Sequence, residues 1–535
     1  VTSLARTYTV ALAGLLGTVV EVQTHIGPGI VGTTLVGLPD ASLREAKERV
    51  RAALFSCAVP TLNKRVTINL SPADLPKAGS GFDLGIAISV LVARGELPNL
   101  AVTETVFAAE LGLDGSLQPV PGALPIALAA REAGFSRLVV SPEMMGEARL
   151  VEGIEVVGGA HLADILTVFR QRGHSLVDSL EGWEIVQGLT DQRMQLEADT
   201  LPHQSRGGML IQGEVPEMDV ADVRGQPEAV QALGIAAAGG HHMLMLGPPG
   251  VGKTMLATRL QAVLPDLSKF ESVQVTALRS LVGGSAPVDH LAVRPPLEQP
   301  HHSASLVSLI GGGSPVRPGS VSLAHAGVLV LDEAPEFQVR VLDALRQPLE
   351  SGMIAVHRAQ QRVEFPARFQ MVMTANPCPC GGAIRSGDER CRCSYAQRDR
   401  YWARISGPLL DRLDIRLHIS RPHHSALTRD QTPTSAELRE RTTEARRRAA
   451  FRWRNEAWSV NAEVPGRFLR DHTQLAPADA NAVQKAIESG QISLRGADRI
   501  LRLAWSVADW EGHETPSTED MARAIELRGQ EERIR

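Results

Sequence analysis

Gly247, Gly252, Lys253 and Thr254, in the run HMLMLGPPGVGKT, have the types and spacing of a loop that wraps phosphate. Glycines there let successive backbone N–H groups turn inward, and Pro248, Pro249, Gly250 and Val251 complete the cradle. The Lys253 ammonium can reach β- and γ-phosphates, while Thr254 offers a hydroxyl to Mg²⁺ at the positive end of a helix. Asp332 and Glu333 follow a second apolar run, VLVL. Carboxylates at the carboxyl end of a buried parallel strand face the crevice where such sheets bind ligands. Asp332 is therefore expected in the Mg²⁺ shell, and Glu333 as the group that orients and polarises an attacking water. Asn376 closes a third apolar run, QMVMT, where an amide could bridge the γ-phosphate and that water. The chemistry these residues fit is binding and hydrolysis of a nucleoside triphosphate, with ATP and Mg²⁺ as the expected pair.

Immediately beyond, PCPCGGAIRSGDERCRCS carries Cys378, Cys380, Cys391 and Cys393. Four thiols on one glycine-bearing loop can supply the tetrahedral ligand set of a structural Zn²⁺. Paired CxC is less common than the CxxC knuckle, so free thiols and a redox role stand as alternatives.

The elements that must hold these groups are legible in the periodicity. Residues 243–246, 328–331 and 370–374 read as buried strands, and MLATRLQAVL has a helical period. A helix over 228–238 is closed by Gly239 and Gly240. The amino-terminal third mixes strands (19–26, 65–70, 137–140) with helices (43–55, 84–93, 124–133), an α+β pattern. Residues 171–215 read as a connector with a helix near 190–198. Residues 437–454 interleave arginines with Phe451 and Trp453: either a solvated helix with buried aromatic anchors or a nucleic-acid surface. SLRGADRILRLAWSVADW puts Ile500, Leu503, Ala504 and Val507 on one helical face, with Arg495, Arg499 and Arg502 on another.

At 535 residues the chain has room for several domains, and 43% apolar with 21% charged residues is an ordinary globular balance. A net charge of −5 gives no global attraction to nucleic acid, so any DNA contact must be local, in a groove or pore. No apolar run reaches a membrane span. Residues 9–20 could pass for a signal-peptide core, but the alternation from Thr18 favours a strand. Four of the five cysteines crowd between 378 and 393, unlike a disulfide framework, and the expected compartment is the cytoplasm.

Three stretches, VGLPDASLREAKERVRAAL, INLSPADLPKAGSGFDLGIAISVL and LGLDGSLQPVPGALPIALAAREAG, resemble the amino-terminal domain of the ComM/YifB family of magnesium-chelatase-like AAA+ ATPases. The resemblance runs through the cysteine loop to the end of the chain, departing at RPPLEQPHH, where relatives have a more compact insert. It implies an α/β multidomain chain: a Lon/ribosomal S5 domain 2-like domain over 1–170, the connector over 171–215, an AAA+ core over 216–425 and a helical lid over 426–535. The Lon likeness raises a Ser–Lys protease. Ser80 lies near the expected nucleophile, but Leu124, Pro125 and Ile126 stand where the general-base lysine belongs, and a serine without a base is a weak nucleophile. Ser80 and Lys77 are expected to be turn residues.

The resemblance also assigns roles. Asn376 would be sensor 1. Arg412, in GPLLDRLDIRLHI, would be the finger that reaches a neighbouring subunit's ATP, although LDRLD alone reads as a salt-bridged helix end. Arg495 would be sensor 2, with Arg499 the alternative. HHSASLVSLIGGGSPVRPGSVSLAHAG resembles the helix-2 insert of these motors, and MIAVHRAQQRVEF a second hairpin; Arg317, Arg358 and Arg362 would then touch nucleic-acid backbone or be plain loop arginines. The implied function is an ATP-dependent DNA motor, a homohexameric ring and helicase promoting branch migration in recombination and transformation. The alternative is a chelatase-like remodelling ATPase acting on a protein partner.

Overall fold

The computed structural model describes residues 4–172 and 218–529, apart from 38–39, 61–62, 76, 78, 284–287, 359–360, 383–390, 422–431, 474–476 and 489–491. The helix expected near 190–198 lies outside the described residues.

The amino-terminal sheet uses β1 (Leu4–Ala13), β2 (Leu16–Gly27), β3 (Gly32–Val36), β4 (Arg65–Ser71), β5 (Thr105–Ala108), β6 (Arg137–Val140) and β7 (Glu155–Gly158), in the order β3-β4-β2-β1-β5-β6-β7. Residues 9–20 belong to the antiparallel β1–β2 hairpin, with Thr9 opposite Val20. Helix α1 (Ala41–Ser56) begins where the Asp40 carboxylate accepts the Leu43 N–H at 2.7 Å. Helix α2 (Asp83–Ala93) is apolar nearly all round and buried along its whole length, as such a helix must be. Lys77 departs from expectation: it is fully buried rather than in an open turn, its stem enclosed and its Nζ donating to the Pro72 carbonyl. Ser80 donates to the Glu110 carboxylate. Leu124, Pro125 and Ile126 lie buried in α3 (Ala123–Glu132).

The second sheet is wholly parallel. It comprises β8 (Met243–Leu246), β9 (Leu297–Glu298), β10 (Val328–Leu331), β13 (Gln370–Ala375) and β14 (Ile415–His418), in the order β9-β10-β13-β8-β14; β11 (Met353–Arg358) and β12 (Gln361–Pro366) form a separate antiparallel hairpin. Strands β8, β10 and β13 are buried at every residue, which is why β8 and β10 read as unbroken apolar runs and β13 as a run broken only by Gln370 and Thr374. Helix α4 (Pro227–Gly239) ends on Gly240 at φ 77°, and α5 (Lys253–Val263) leaves the phosphate-loop sequence. Helix α6 (Lys269–Val282) starts with a capping box between Ser268 and Glu271. The β1–β2 turn rests on the second hairpin: a Cβ at Gly14 would stand 2.6 Å from the Glu364 carbonyl.

Helices α7 (Ser435–Arg452) and α8 (Leu494–Glu511) pack against the sheet's helices, and α9 (Thr518–Arg528) packs on α8 and on β14. Ile500, Leu503, Ala504 and Val507 are buried, as the period required. Of the two expected aromatic anchors only Trp453 is buried, edge-on to Trp505; Phe451 is exposed, one position round the helix from the core face. Among the described residues no helix is long and apolar enough to cross a membrane.

Two histidines, the buried His325 and the half-buried His242, make hydrogen bonds that require a neutral ring. His325 Nδ1 accepts the Arg368 N–H at 3.1 Å, and His242 Nδ1 accepts the Met371 N–H at 3.0 Å, so both rings must be neutral at that nitrogen. Burial pushes each from its ordinary 6.5 down to about 4. Between those values the unfolded chain binds more protons than the folded one. The contribution of these two histidines to stability is therefore complete above about pH 6.5 and is lost as pH falls toward 4. Urea midpoints should drop between pH 7 and pH 5, and His325→Gln should flatten that slope.

Candidate active site

The loop between β8 and α5 turns through Gly250 at φ 77° and Gly252 at φ 89°, conformations that L side chains rarely adopt. Lys253 is buried at the first turn of α5. Its Nζ donates to the carbonyls of Gly247 at 2.7 Å and Pro248 at 2.9 Å, and to Asn376 Oδ1 at 3.0 Å. Burial lowers the Lys253 pKa, against the pull of Asp332 and Glu333. Thr254 Oγ1 lies 3.0 Å from both Asp332 carboxylate oxygens. Three neighbouring parallel strands thus bring Lys253, Thr254, Asp332 and Asn376 to one sheet edge.

Glu333 is one of three non-glycine residues described with positive φ, at 54°. Its backbone N–H donates to Thr374 Oγ1 at 3.0 Å, and Thr374 Oγ1 donates to Asp332 at 2.5 Å. The turn holds Glu333 exposed beside the cradle. Thr374 escapes a reading of the sequence by motif. The available signal was a lone hydroxyl, fully buried, near the end of an apolar strand.

The four cysteines converge. Cys378 Sγ lies 3.3 Å from Cys380 Sγ and 3.6 Å from Cys391 Sγ, and all four sulfurs lie within 4.8 Å of one another. A hydrogen bond from the Gly382 N–H and contacts with neighbouring thiols hold the Cys380 thiol down at about 6.

Arg412 sits elsewhere. It precedes β14, whose Ile415 pairs with Met243 and whose His418 pairs with Leu246 in parallel register. The phosphate-loop sequence leaves the carboxyl end of β8, so Arg412 lies at the opposite end of these strands, about 10 Å along the sheet by strand rise alone. It bonds Glu350 at 2.9 Å and the Pro408 carbonyl at 2.8 Å. The two lid arginines separate clearly. Arg499 is 12% exposed and bonds Asp414 at 2.6 Å, whereas Arg495 is 83% exposed with only a 3.9 Å approach to Asp411. Burial works against Asp414's charge, yet His241 and Arg499 hold its carboxyl well below the usual range.

Residues 219–427 match the family described as magnesium chelatase, subunit ChlI, and residues 432–528 match magnesium chelatase, subunit ChlI C-terminal. Residues 21–144 match subunit ChlI of Mg-chelatase. Over its whole length the chain resembles a Mycobacterium tuberculosis protein, 42% identical across 98% of this chain and 99% of that one. Competence protein ComM of Haemophilus influenzae is 38% identical across 98% of this chain and 97% of its own length. YifB of Escherichia coli is 36% identical over the same shares. With identity at this level from end to end, the chain belongs to the ComM/YifB family of magnesium-chelatase-like AAA+ proteins.

Proposed function

We propose that the chain is an ATP-hydrolysing motor that assembles as a homohexameric ring in the cytoplasm and moves on DNA, as a helicase promoting branch migration during recombination and transformation. The observation that carries this reading is the parallel register of β8 and β14, which separates Arg412 from its own phosphate loop. A cation at the far end of the sheet can complete a nucleotide site only on another copy, which favours a closed assembly. Lys253 and the loop N–H groups would bind the phosphates. Thr254 and Asp332, already 3.0 Å apart, offer the hydroxyl and carboxylate oxygens that Mg²⁺ prefers. Glu333 would take the proton of the attacking water, and Asn376 would hold that water in line. Both lid arginines approach Asp411, the residue before Arg412; the exposed Arg495 would act on the same neighbouring nucleotide, and Arg499, bonded to Asp414, would tie lid to sheet. In this division of labour residues 1–170 form the Lon/S5-like domain, 171–215 the connector, 216–425 the motor core and 426–535 the lid.

DNA as substrate draws support from the name of the Haemophilus relative, a competence protein, and from two hairpins, a short one that pairs Gly311 with Pro318 and Gly312 with Arg317, and β11–β12. Arg317 and Arg362 are exposed on them, and Arg362 pairs with Glu364; the Arg358 side chain lies outside the described residues. Replacing Arg317, Arg358 and Arg362 together by alanine should weaken DNA binding and make its salt dependence shallower by roughly two to three in log–log slope, with ATP binding intact. Unchanged affinity and slope would remove these hairpins from the DNA path. Matches to magnesium chelatase subunit families in three segments favour a second reading, remodelling of a protein partner. Strand displacement on forked or three-stranded DNA decides: ATP-dependent displacement supports the helicase, and its absence together with an ATPase insensitive to DNA supports remodelling.

A further inference from the structure

The segment that follows Asn376 does more than join two elements. Asn376 bonds Lys253, and five residues later Gly381 rests on the phosphate-loop sequence, where a Cβ would stand 2.6 Å from the Pro249 ring. Gly381 has φ 72°, and its N–H donates to the Cys378 carbonyl at 2.9 Å. On the other side of the cysteines, helix Tyr395–Trp402 begins directly after Cys393 with a capping box from Ser394. That helix returns to its starting point: Trp402 Nε1 donates to the Pro377 carbonyl at 3.2 Å. Burial pushes the Tyr401 hydroxyl up to about 12, partly offset by a hydrogen bond from the Asn376 backbone. The cysteine cluster therefore stands where the chain crosses itself, directly against the cradle.

Its dimensions fit a metal. Zn–S bonds of about 2.3 Å in a tetrahedron place sulfurs about 3.8 Å apart. Separations of 3.3, 3.6 and 3.7 Å lie just under that figure, and all four sulfurs fall within 4.8 Å of one another. Four soft ligands with no imidazole or carboxylate among them leave no open position for chemistry, the pattern of a structural site. Cys378 is buried while Cys380 is exposed, so the cluster has an inner wall and an entry side.

We propose that Cys378, Cys380, Cys391 and Cys393 bind one structural Zn²⁺, and that the metal presses residues 376–381 onto the phosphate loop, coupling zinc occupancy to nucleotide affinity. Four thiols lose their protons to solvent as the four Zn–S bonds form, and nothing is oxidised or reduced. The coupling is reciprocal, because a metal that steadies the cradle is itself held more tightly once the cradle is filled. The second half of the inference rests on the phosphate-loop reading given above.

The test uses the full chain purified without chelator. Metal analysis should find about one zinc per chain, and Co²⁺ exchange should give the intense visible absorption of a tetrahedral thiolate site. Stripping the metal with a thiol-directed mercurial, followed by reductant and chelator, should weaken binding of a fluorescent ATP analogue roughly tenfold, with recovery on adding Zn²⁺. Gly381→Ala should reproduce the loss of nucleotide affinity while keeping one zinc, because the new methyl strikes Pro249. Lys253→Ala protein should keep its zinc and bind no analogue. Less than a tenth of an equivalent of zinc, even after incubation with Zn²⁺, would overturn the site; iron in its place would do the same. Full zinc with nucleotide affinity unchanged within twofold on removal would overturn the coupling. Parent protein that binds no analogue would overturn the phosphate-loop reading and the coupling together, leaving the metal count to stand by itself.

Discussion

Arg412→Ala protein will bind ATP within about threefold of the parent affinity and hydrolyse it at least about a hundredfold more slowly, since a guanidinium that meets transition-state charge contributes far more to the chemical step than to binding. The residue's present bonds allow that use. Its carboxylate partner Glu350 is 75% exposed, and such an ion pair is worth little, so a phosphate can displace it at small cost. Glu350→Ala serves as control: if Arg412 works by reaching outward, losing Glu350 should change turnover by no more than a few-fold. Steady-state ATPase rates and analogue titrations of both variants, with mass measured in solution, check this. A slow Arg412→Ala variant that also fails to assemble would point instead to Arg412 as an assembly residue.

Glu333→Gln should be as damaging to turnover, by about a hundredfold to a thousandfold, and should leave nucleotide binding unimpaired. The amide keeps the shape and the exposed position but has no basic oxygen for a water proton. The backbone is held by Thr374, whose hydroxyl takes the Glu333 N–H and donates to Asp332, so the φ of 54° should survive the substitution. Single-turnover hydrolysis separates chemistry from product release. Thr374→Val should give a different signature: it removes the support of the Asp332 carboxylate and of the Glu333 backbone at once, so Mg²⁺ dependence and turnover should shift together. A Glu333→Gln rate within a few-fold of the parent would move the proton-accepting role elsewhere.

The centre of the parallel core was legible because β8 and β10 are buried on both faces and carry no polar interruption; Met243–Leu246 and Val328–Leu331 end where the apolar runs end. Helix α2 was legible for the same reason, and α1 by the spacing of its buried Leu43, Ala46, Val50, Ala53 and Leu54. Other features depended on distance in space rather than along the chain. Lys77 looked like a turn residue because it stands among Pro76, Gly79 and Ser80, yet it is fully buried with its Nζ on the Pro72 carbonyl. Phe451 and Trp453 looked equivalent as aromatic anchors, but two helical positions separate an exposed ring from one packed on Trp505. Arg495 and Arg499 share a helix, a residue type and an approach to Asp411, and only exposure and the bond from Arg499 to Asp414 tell them apart. Gly381 against Pro249 was beyond reach, since no local pattern marks a glycine that exists to let a loop approach. The placement of Arg412 was also out of reach of motif alone: its meaning follows from the register between β8 and β14.

That register leads to one decisive measurement. Lys253→Ala and Arg412→Ala proteins, each inactive alone, are mixed under conditions that let subunits exchange, and ATP turnover is followed. If every site draws its cradle from one copy and its arginine from the next, about a quarter of the interfaces in randomly mixed rings pair an intact Lys253 with an intact Arg412. Turnover should then return to a substantial fraction of the parent rate. A mixture that exchanges subunits yet stays as inactive as its components would mean that no copy completes another's site, contrary to the account.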